Sequence, residues 1–507
     1  MNLMMLLEMA ASGLGDRIAV GSRSNGLTYA QLLNQAQAAA RRYRNSGVDA
    51  AVLCDESSHA VPITLFGSAW AGVPYVPLNY RLPDDDLLAL AGRVGSAVAV
   101  TDEANLKRLA TVDAVTTVHQ SAFLADPAGG HDGGVEPGDW NMDPDNVAVL
   151  LFTSGTTGTP KSAILRQRHL VSYILSSVEF MGASEDEATL VSVPPYHIAG
   201  VAAMLSSVYT GRRIVQLPRF DPHTWIDTVE AEGITHAMVV PTMLTRIVDA
   251  LDERGGEPLL GVQALSYGGG KMPRPVIEQA LELFPITNFV NAYGLTETSS
   301  TIALLGPDEH RIAQYSDEPA EQARLGSVGR PLPGVEVAIR DDDGNDLPAG
   351  QVGEIFVRGE QVAGEYREKG SLLDADGWFP TRDGGRIDAD GFLFVQGRND
   401  DLIIRGGENI SPGEIEDVAV SHPRVRDAAA IGIADREWGE KIVLVAVPNG
   451  ATPDAAELED LIRSRLRSSR VPAHIVFVDE LPHNDTGKLL RRVLREDYTH
   501  LGNDPGD

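Results

Sequence analysis

Cysteine is nearly absent. Cys54 stands alone among 507 residues, which excludes an intramolecular disulfide and any multi-thiolate zinc or iron–sulfur centre. A reducing cytoplasm is the expected compartment. Positive charge is also scarce: 42 Lys and Arg face 72 Asp and Glu, a formal net charge of −30. Such a chain repels nucleic acid and anionic membranes as a whole, so any anionic substrate must be held by local donors. No apolar run approaches the ~20 residues of a membrane-spanning helix. The apolar start lacks a basic flank and is interrupted by Glu8, and so reads as an amphipathic helix rather than a signal peptide. What remains, 43% hydrophobic and 22% charged residues, is ordinary for a globular protein. The length suits two to four domains at roughly 100–200 residues each.

Apolar periodicity gives the organisation. Residues 27–47 carry Thr28 as a helix N-cap, apolar positions at helical spacing, and Gly47 as a stop. The stretch 126–145, rich in Gly, Pro and Asp, reads as a loop. Residues 146–152, NVAVLLF, read as a buried strand. Strands and helices then alternate to about residue 320, which predicts layered α/β structure with parallel sheets. From about 326 the pattern changes to short strands joined by Asp-Gly and Pro-Ala-Gly turns, so 1–325 and 326–397 are expected to be an α/β body and a small β-rich subdomain. A polar junction at 398–401 precedes 402–507, expected to be an α+β domain. There Ser411-Pro412-Gly413-Glu414 predicts a capping box with proline at the first helical position. Strands are expected at 427–433, 441–447 and 474–479, with a helix bearing Leu458, Leu461, Ile462 and Leu466 between the last two.

Three segments suit chemistry. The first is Thr153-Ser154-Gly155-Thr156-Thr157-Gly158-Thr159-Pro160-Lys161. Its small residues expose backbone N–H groups, its hydroxyls donate and Lys161 adds charge, as a polyphosphate requires; a flexible polar turn has the same composition. It is not a Walker A loop, because Pro160 stands where that loop needs glycine before the lysine. The second is Asn291-Ala292-Tyr293-Gly294-Leu295-Thr296-Glu297-Thr298. It offers an aromatic face, a hydroxyl and a carboxylate able to hold Mg²⁺, or else forms a capped turn. The third, Gly268-Gly269-Gly270, is a wall where backbone meets ligand or a simple turn.

Together these segments resemble the adenylate-forming superfamily of acyl-CoA synthetases, luciferases and peptide-synthetase adenylation domains. GWFPTRD at 377–383, DADGFLFVQGRNDDLI at 388–403, IIRGGENISPGEIE at 403–416 and LPHNDTGKLLR at 481–491 extend the resemblance, in order, over roughly residues 20–495. It implies an AMP-forming acyl-CoA synthetase. A fatty or aromatic carboxylic acid would react with ATP to give acyl-AMP and pyrophosphate, and the acyl group would then pass to CoA. ATP, Mg²⁺ and CoA are the implied cofactors and substrates, with no tightly bound prosthetic group. A ligase that loads a separate acyl-carrier protein, or a non-catalytic nucleotide- or acyl-binding relative, is the alternative. A homodimer is also open.

The resemblance also implies roles. The 153–161 loop would hold the β- and γ-phosphates. Tyr293 would stack on adenine opposite Gly268–Gly270, with Asn291, Ala292 and Gly294 beside it. Thr296 would meet the α-phosphate and Glu297 the Mg²⁺. Asp383 and Arg398 would hold the ribose. Lys488 would bridge the carboxylate and α-phosphate oxygens. In the second step the C-terminal domain, mobile about Asp400, would bring Gly407 to the pantetheine tunnel. His197 and Gly200 fall in the segment near the acyl group; a packed histidine is the other reading of His197. Arg405, Arg470, Arg491 and Arg492 could meet CoA phosphates or an acidic carrier. No aspartate occupies the peptide-synthetase position that anchors an α-amine, which disfavours an amino-acid substrate. Two departures stand out: Arg382 replaces the glycine of the family's Thr-Gly-Asp, and Ser162 replaces a glycine after the loop lysine.

Overall fold

The computed structural model describes residues 2–130, 139–153, 160–436, 438–484 and 487–503. Two large sheets form its body. In the nine-stranded sheet the strands Ile18–Val20, Arg213–Gln216, Ala188–Val191, His236–Val239, Ala264–Gly268 and Asn288–Leu295 run parallel, in that order across the sheet. The eight-stranded sheet has Val147–Thr153, Tyr75–Pro77, Ala50–Cys54, Ala97–Thr101 and Val115–His119 as its parallel part. Sequence periodicity explains why both faces are covered. In AAVLC, 50–54, Ala51 and Leu53 join the large core shared by the two sheets, whereas Ala50, Val52 and Cys54 face a second core with Leu87, Leu90 and Val94.

The capping signal at Thr28 is realised. Its hydroxyl accepts from Gln31 N, Gln31 returns the bond, and Gly47 ends the helix Tyr29–Ser46 at φ 61°. The apolar start becomes the helix Leu3–Leu14, its Leu3, Met4, Leu6 and Leu7 wholly buried. Parallel pairing stops at two hairpins. Val147–Thr153 turns back antiparallel onto Lys161–Arg166, and Asn288–Leu295 onto Ser300–Leu305. The polar segment Thr296–Thr298 sits where the second of these hairpins reverses.

A four-stranded antiparallel sheet follows, ordered Glu336–Arg340, Gly353–Arg358, Phe379–Ile387, Leu393–Arg398. Between its strands, Glu365–Tyr366 leaves to pair with Ala163 of the eight-stranded sheet. After the short turn Asn399–Asp401 come the hairpin Ile403–Arg405 and Glu408–Ile410, the helix Pro412–Val420, and the strands Val425–Asp435, Gly439–Pro448 and His474–Phe477 around the helix Ala455–Arg465. Leu458 and Ile462 are buried in that domain's own core. The capping box expected at Ser411 does not form. Ser411 Oγ donates instead to Gln396 O at 2.9 Å, across the junction, and Glu414 accepts from Arg470 Nε at 3.0 Å. Partners distant in sequence took both groups. Among the described residues no helix is long and apolar enough to cross a membrane.

Candidate active site

The site lies where the two large sheets and the four-stranded sheet meet. The end of Asn288–Leu295 carries Tyr293 into it. That strand must lie close to its neighbour, because a Cβ on Gly268 would collide with Ala292 O. Asn291 is fixed by donating to Ser327 O at 3.0 Å. Past Gly294 the chain enters the turn Thr296–Thr298, where Thr298 Oγ1 accepts from Leu295 N and donates back to Leu295 O. The turn exits through Ser299 and Ser300, both at positive φ (58° and 111°). Non-glycine residues are uncommon there and cluster at functional sites.

Tyr293 Oη donates to Asp383 Oδ2 at 2.6 Å, and Arg398 Nε pairs with Asp383 Oδ1 at 2.9 Å. Burial pushes the Asp383 carboxyl above its ordinary pKa, while the Arg398 charge and the Tyr293 bond pull it back. Burial and the neighbouring carboxylate raise the Tyr293 phenol. Asp383 thus has both oxygens anchored, and a carboxylate's remaining lone pairs can still accept from hydroxyls.

Glu297 is held from the other side. Its backbone carbonyl accepts from Ala363 N and Gly364 N at 2.8 and 3.0 Å, and its carboxylate accepts from Tyr366 Oη. Lys161 lies over the Tyr366 ring, 5.8 Å from its centroid. Tyr366 therefore links the loop lysine to Glu297. Nothing in the local sequence, GEYREKG, marks it; only the pairing of its short strand with Ala163 brings it in. Ser162, the second departure, accepts no ligand role here: its amide and hydroxyl both donate to Glu368, at 3.0 and 2.7 Å. Ser154, Gly155, Thr156, Thr157 and Gly158 lie outside the described residues.

Lys488 comes from the other domain. Its amide donates to Asn484 Oδ1 and its carbonyl accepts from Asn484 N, at 2.8 and 2.9 Å, which shapes the loop. Gly487 precedes it at φ +71°, and a Cβ there would strike the Thr242 side chain of the N-terminal body. Glycine is thus required twice over, for the turn and for the approach. Lys488 is exposed, yet the atoms crowding its ammonium and the charge of Arg398 lower its pKa; Asp401, Asp383 and Glu297 oppose that shift. Lys488, Arg398, Asp383 and Glu297 therefore share one electrostatic neighbourhood.

Other expected residues stand apart. Gly407 is the exposed second residue of a two-residue hairpin turn, Gly406 and Gly407 having φ 60° and 80°. Asp400 is exposed in the junction turn. His197 precedes the helix Ile198–Thr210 with its ring 4.6 Å from that of Tyr196. Gly200 creates no free space, since a Cβ there would lie 2.9 Å from Pro194 O. Of the four C-terminal arginines, Arg405 donates to Ser469 O and Val471 O, Arg470 pairs with Glu408 and Glu414, and Arg491 pairs with Glu416 at 2.5 Å. Only Arg492 is widely exposed, against Glu496. Arg382 points to solvent, its side chain 66% exposed and its backbone left-handed at φ 65°.

A tyrosine–aspartate–arginine triad, a tethered glutamate and a lysine-bearing loop seated against Thr242 thus lie along one junction. The chain belongs to the AMP-binding enzyme family, which it matches over residues 7–367, with the AMP-binding enzyme C-terminal domain at 414–488. It is 34% identical to the 2-succinylbenzoate–CoA ligase of Geobacillus kaustophilus, covering 95% of each chain. It is 30% identical to the fatty acid–[acyl-carrier-protein] ligase of Streptomyces coeruleorubidus, covering 95% of this chain and 93% of the other. Among solved structures, the o-succinylbenzoate–CoA synthetase of Bacillus subtilis with its acyl-adenylate intermediate aligns with a TM-score of 0.82 and 29% identity, over 97% of each chain.

Proposed function

We propose that the chain is an ATP-dependent acid–thiol ligase that activates a carboxylic acid as acyl-AMP and transfers the acyl group to CoA. The carrying observation is the Lys488 loop seated on the body at Thr242, with the Tyr293–Asp383–Arg398 cluster and Glu297 in electrostatic reach of its ammonium. A carboxylate and an α-phosphate repel each other, and a chain of charge −30 worsens that repulsion. A cation placed between them stabilises the charge that gathers in the transition state. The carboxylate oxygen attacks the α-phosphorus, the bond to the β-phosphate breaks, and pyrophosphate leaves. Asp383, held by Tyr293 and Arg398, accepts from the ribose hydroxyls. Thr153, Lys161 and the 154–159 segment cradle the outer phosphates.

Glu297 suits Mg²⁺, which takes one or two carboxylates together with water and phosphate oxygens; the ion would neutralise phosphate charge. In the second step the thiol sulfur attacks the acyl carbon, AMP leaves and the thiol proton is lost. The outward position of Gly407 supports a rotation about 398–401 that exchanges the Lys488 loop for the Gly407 hairpin, with 402–507 as the moving unit. The 2-succinylbenzoate and fatty-acid ligases among the relatives favour an aromatic or fatty acid, with His197 and Gly200 near the acyl group. The carrier-protein ligase among the relatives keeps a separate carrier as the second reading of the acceptor.

A panel of carboxylic acids, each incubated with ATP, Mg²⁺ and either CoA or a carrier protein, tests this reading with products identified by mass. The expected result is acid-dependent pyrophosphate exchange and one acyl-CoA. Absence of exchange with every acid overturns it.

A further inference from the structure

Lys271 follows the exposed end of the Gly268–Gly270 run and has no part in the site described above. It reaches across to the first helix of the lysine-bearing domain, Pro412–Val420. Its Nζ pairs with the Asp417 carboxylate and approaches Gly413 O at 3.4 Å. Gly413 is itself pressed against the body side of the junction, where a Cβ would lie 2.8 Å from Gln396 O. The same helix is tied down by Ser411 Oγ donating to Gln396 O. Further out, Thr242 abuts Gly487, and Arg426 acts electrostatically on the exposed Asp249. Thr242 and Asp249 are seven residues apart on the helix Pro241–Glu253, so they share a face. The domain carrying Lys488 therefore rests on small steric and charged contacts.

We infer that the Lys271–Asp417 ion pair is an interdomain latch that holds Lys488 over the nucleotide site and sets the balance between the two half-reactions. The inference rests on the reading of the chain as an adenylate-forming ligase and assigns this chain's own residues to its timing. Lys271 touches no reacting atom; it is a positioning residue. Its side chain is 50% exposed and that of Asp417 64%. An exposed pair is weak and screened by salt. A weak latch can close for the first step and release for the second, whereas a buried pair would resist release.

The test pairs a rate with a distance. Lys271→Ala and Asp417→Ala should each lower pyrophosphate exchange roughly two- to fivefold, without slowing thioester formation from supplied acyl-AMP. The charge-swapped double variant, Lys271→Asp with Asp417→Lys, should recover most of the exchange rate. The wild type should lose more exchange between low and high salt than Lys271→Ala does. Cys54 is buried, so fluorophores can be directed to Glu257→Cys and Asp460→Cys, both at exposed positions. Energy transfer between them should shift toward the open arrangement in Lys271→Ala. Equal loss of both half-reactions, or no change in exchange and energy transfer, overturns the latch. If no acid supports exchange while Lys271→Ala still shifts energy transfer toward the open arrangement, the ligase reading falls, and with it the role in timing, while the ion pair stands as an interdomain contact.

Discussion

Asp383 and Lys488 face the same space from opposite kinds of surroundings. Asp383 is 5% exposed, with Tyr293 on one oxygen and Arg398 on the other. The strands beneath it pack on a core that includes Ile355, Val357, Phe379 and Leu393, and each such buried side chain contributes roughly 1.5–3 kcal/mol. Lys488 sits on an exposed loop whose domain meets the body through a glycine contact and half-exposed charges. Exposed pairs contribute about 0–1 kcal/mol each. The half of the site around Asp383 is thus held by a packed core, and the half that carries Lys488 by weak contacts.

The contrast breaks most sharply at Lys488. Lys488→Ala should lower adenylate formation by ~100–1000-fold, the scale of removing one preorganised transition-state donor, and spare thioester formation from supplied acyl-AMP. Stopped assays of the two half-reactions decide this; loss of both would remove Lys488 from its role. The pH dependence follows from the lowered pKa. In the proposed role the ammonium is the bridging form, so adenylation should be full below that pKa and decline as pH rises through it, at lower pH than for an ordinary lysine. An exchange rate flat through that alkaline range would contradict the assignment.

Gly407 sharpens the comparison from the C-terminal side. Gly407→Leu should slow the thiol step about tenfold or more while leaving pyrophosphate exchange intact. Leucine at φ 80° is strained, so Gly407→Ala is the control: it carries the same backbone strain with little bulk. If both variants lose the thiol step equally, strain and not obstruction is responsible, and the tunnel role fails.

How much of this the sequence revealed follows the same division. Local physics was readable: the Thr28 box is closed by residues three apart, and the apolar run NVAVLLF at 146–152 becomes the strand Val147–Thr153. The motif residues Tyr293, Glu297, Asp383 and Arg398 were readable through resemblance, and their mutual geometry required the fold. Tyr366 was not readable, because its role arises from a two-residue strand pairing with a distant sheet. Ser411 misled for the same reason, its hydroxyl being claimed by Gln396 O. Lys271 carries no signal at all until Asp417, 146 positions later in sequence, is placed beside it.

The smallest effect tests whether the rigid half contains avoidable strain. Arg382 adopts φ 65° next to Asp383, on a strand that shifts register between Gly384 and Gly385. Left-handed backbone is unfavourable for a side-chain-bearing residue by about 1–2 kcal/mol. Its guanidinium returns little, being 66% exposed with Glu354 at 4.0 Å. The Arg382 amide donates to Glu354 at 3.2 Å and would do so in any residue. Arg382→Gly relieves the strain, partly offset by the greater freedom of glycine in the unfolded chain. The net expectation is a gain of about 0.5–1 kcal/mol in the unfolding free energy of the N-terminal body, read as a higher denaturation midpoint. Arg382→Ala keeps the strain and should gain nothing. If the glycine variant instead weakens the body or raises the KM for ATP, the guanidinium holds the strand that carries Asp383, and the rigid half depends on a surface charge after all.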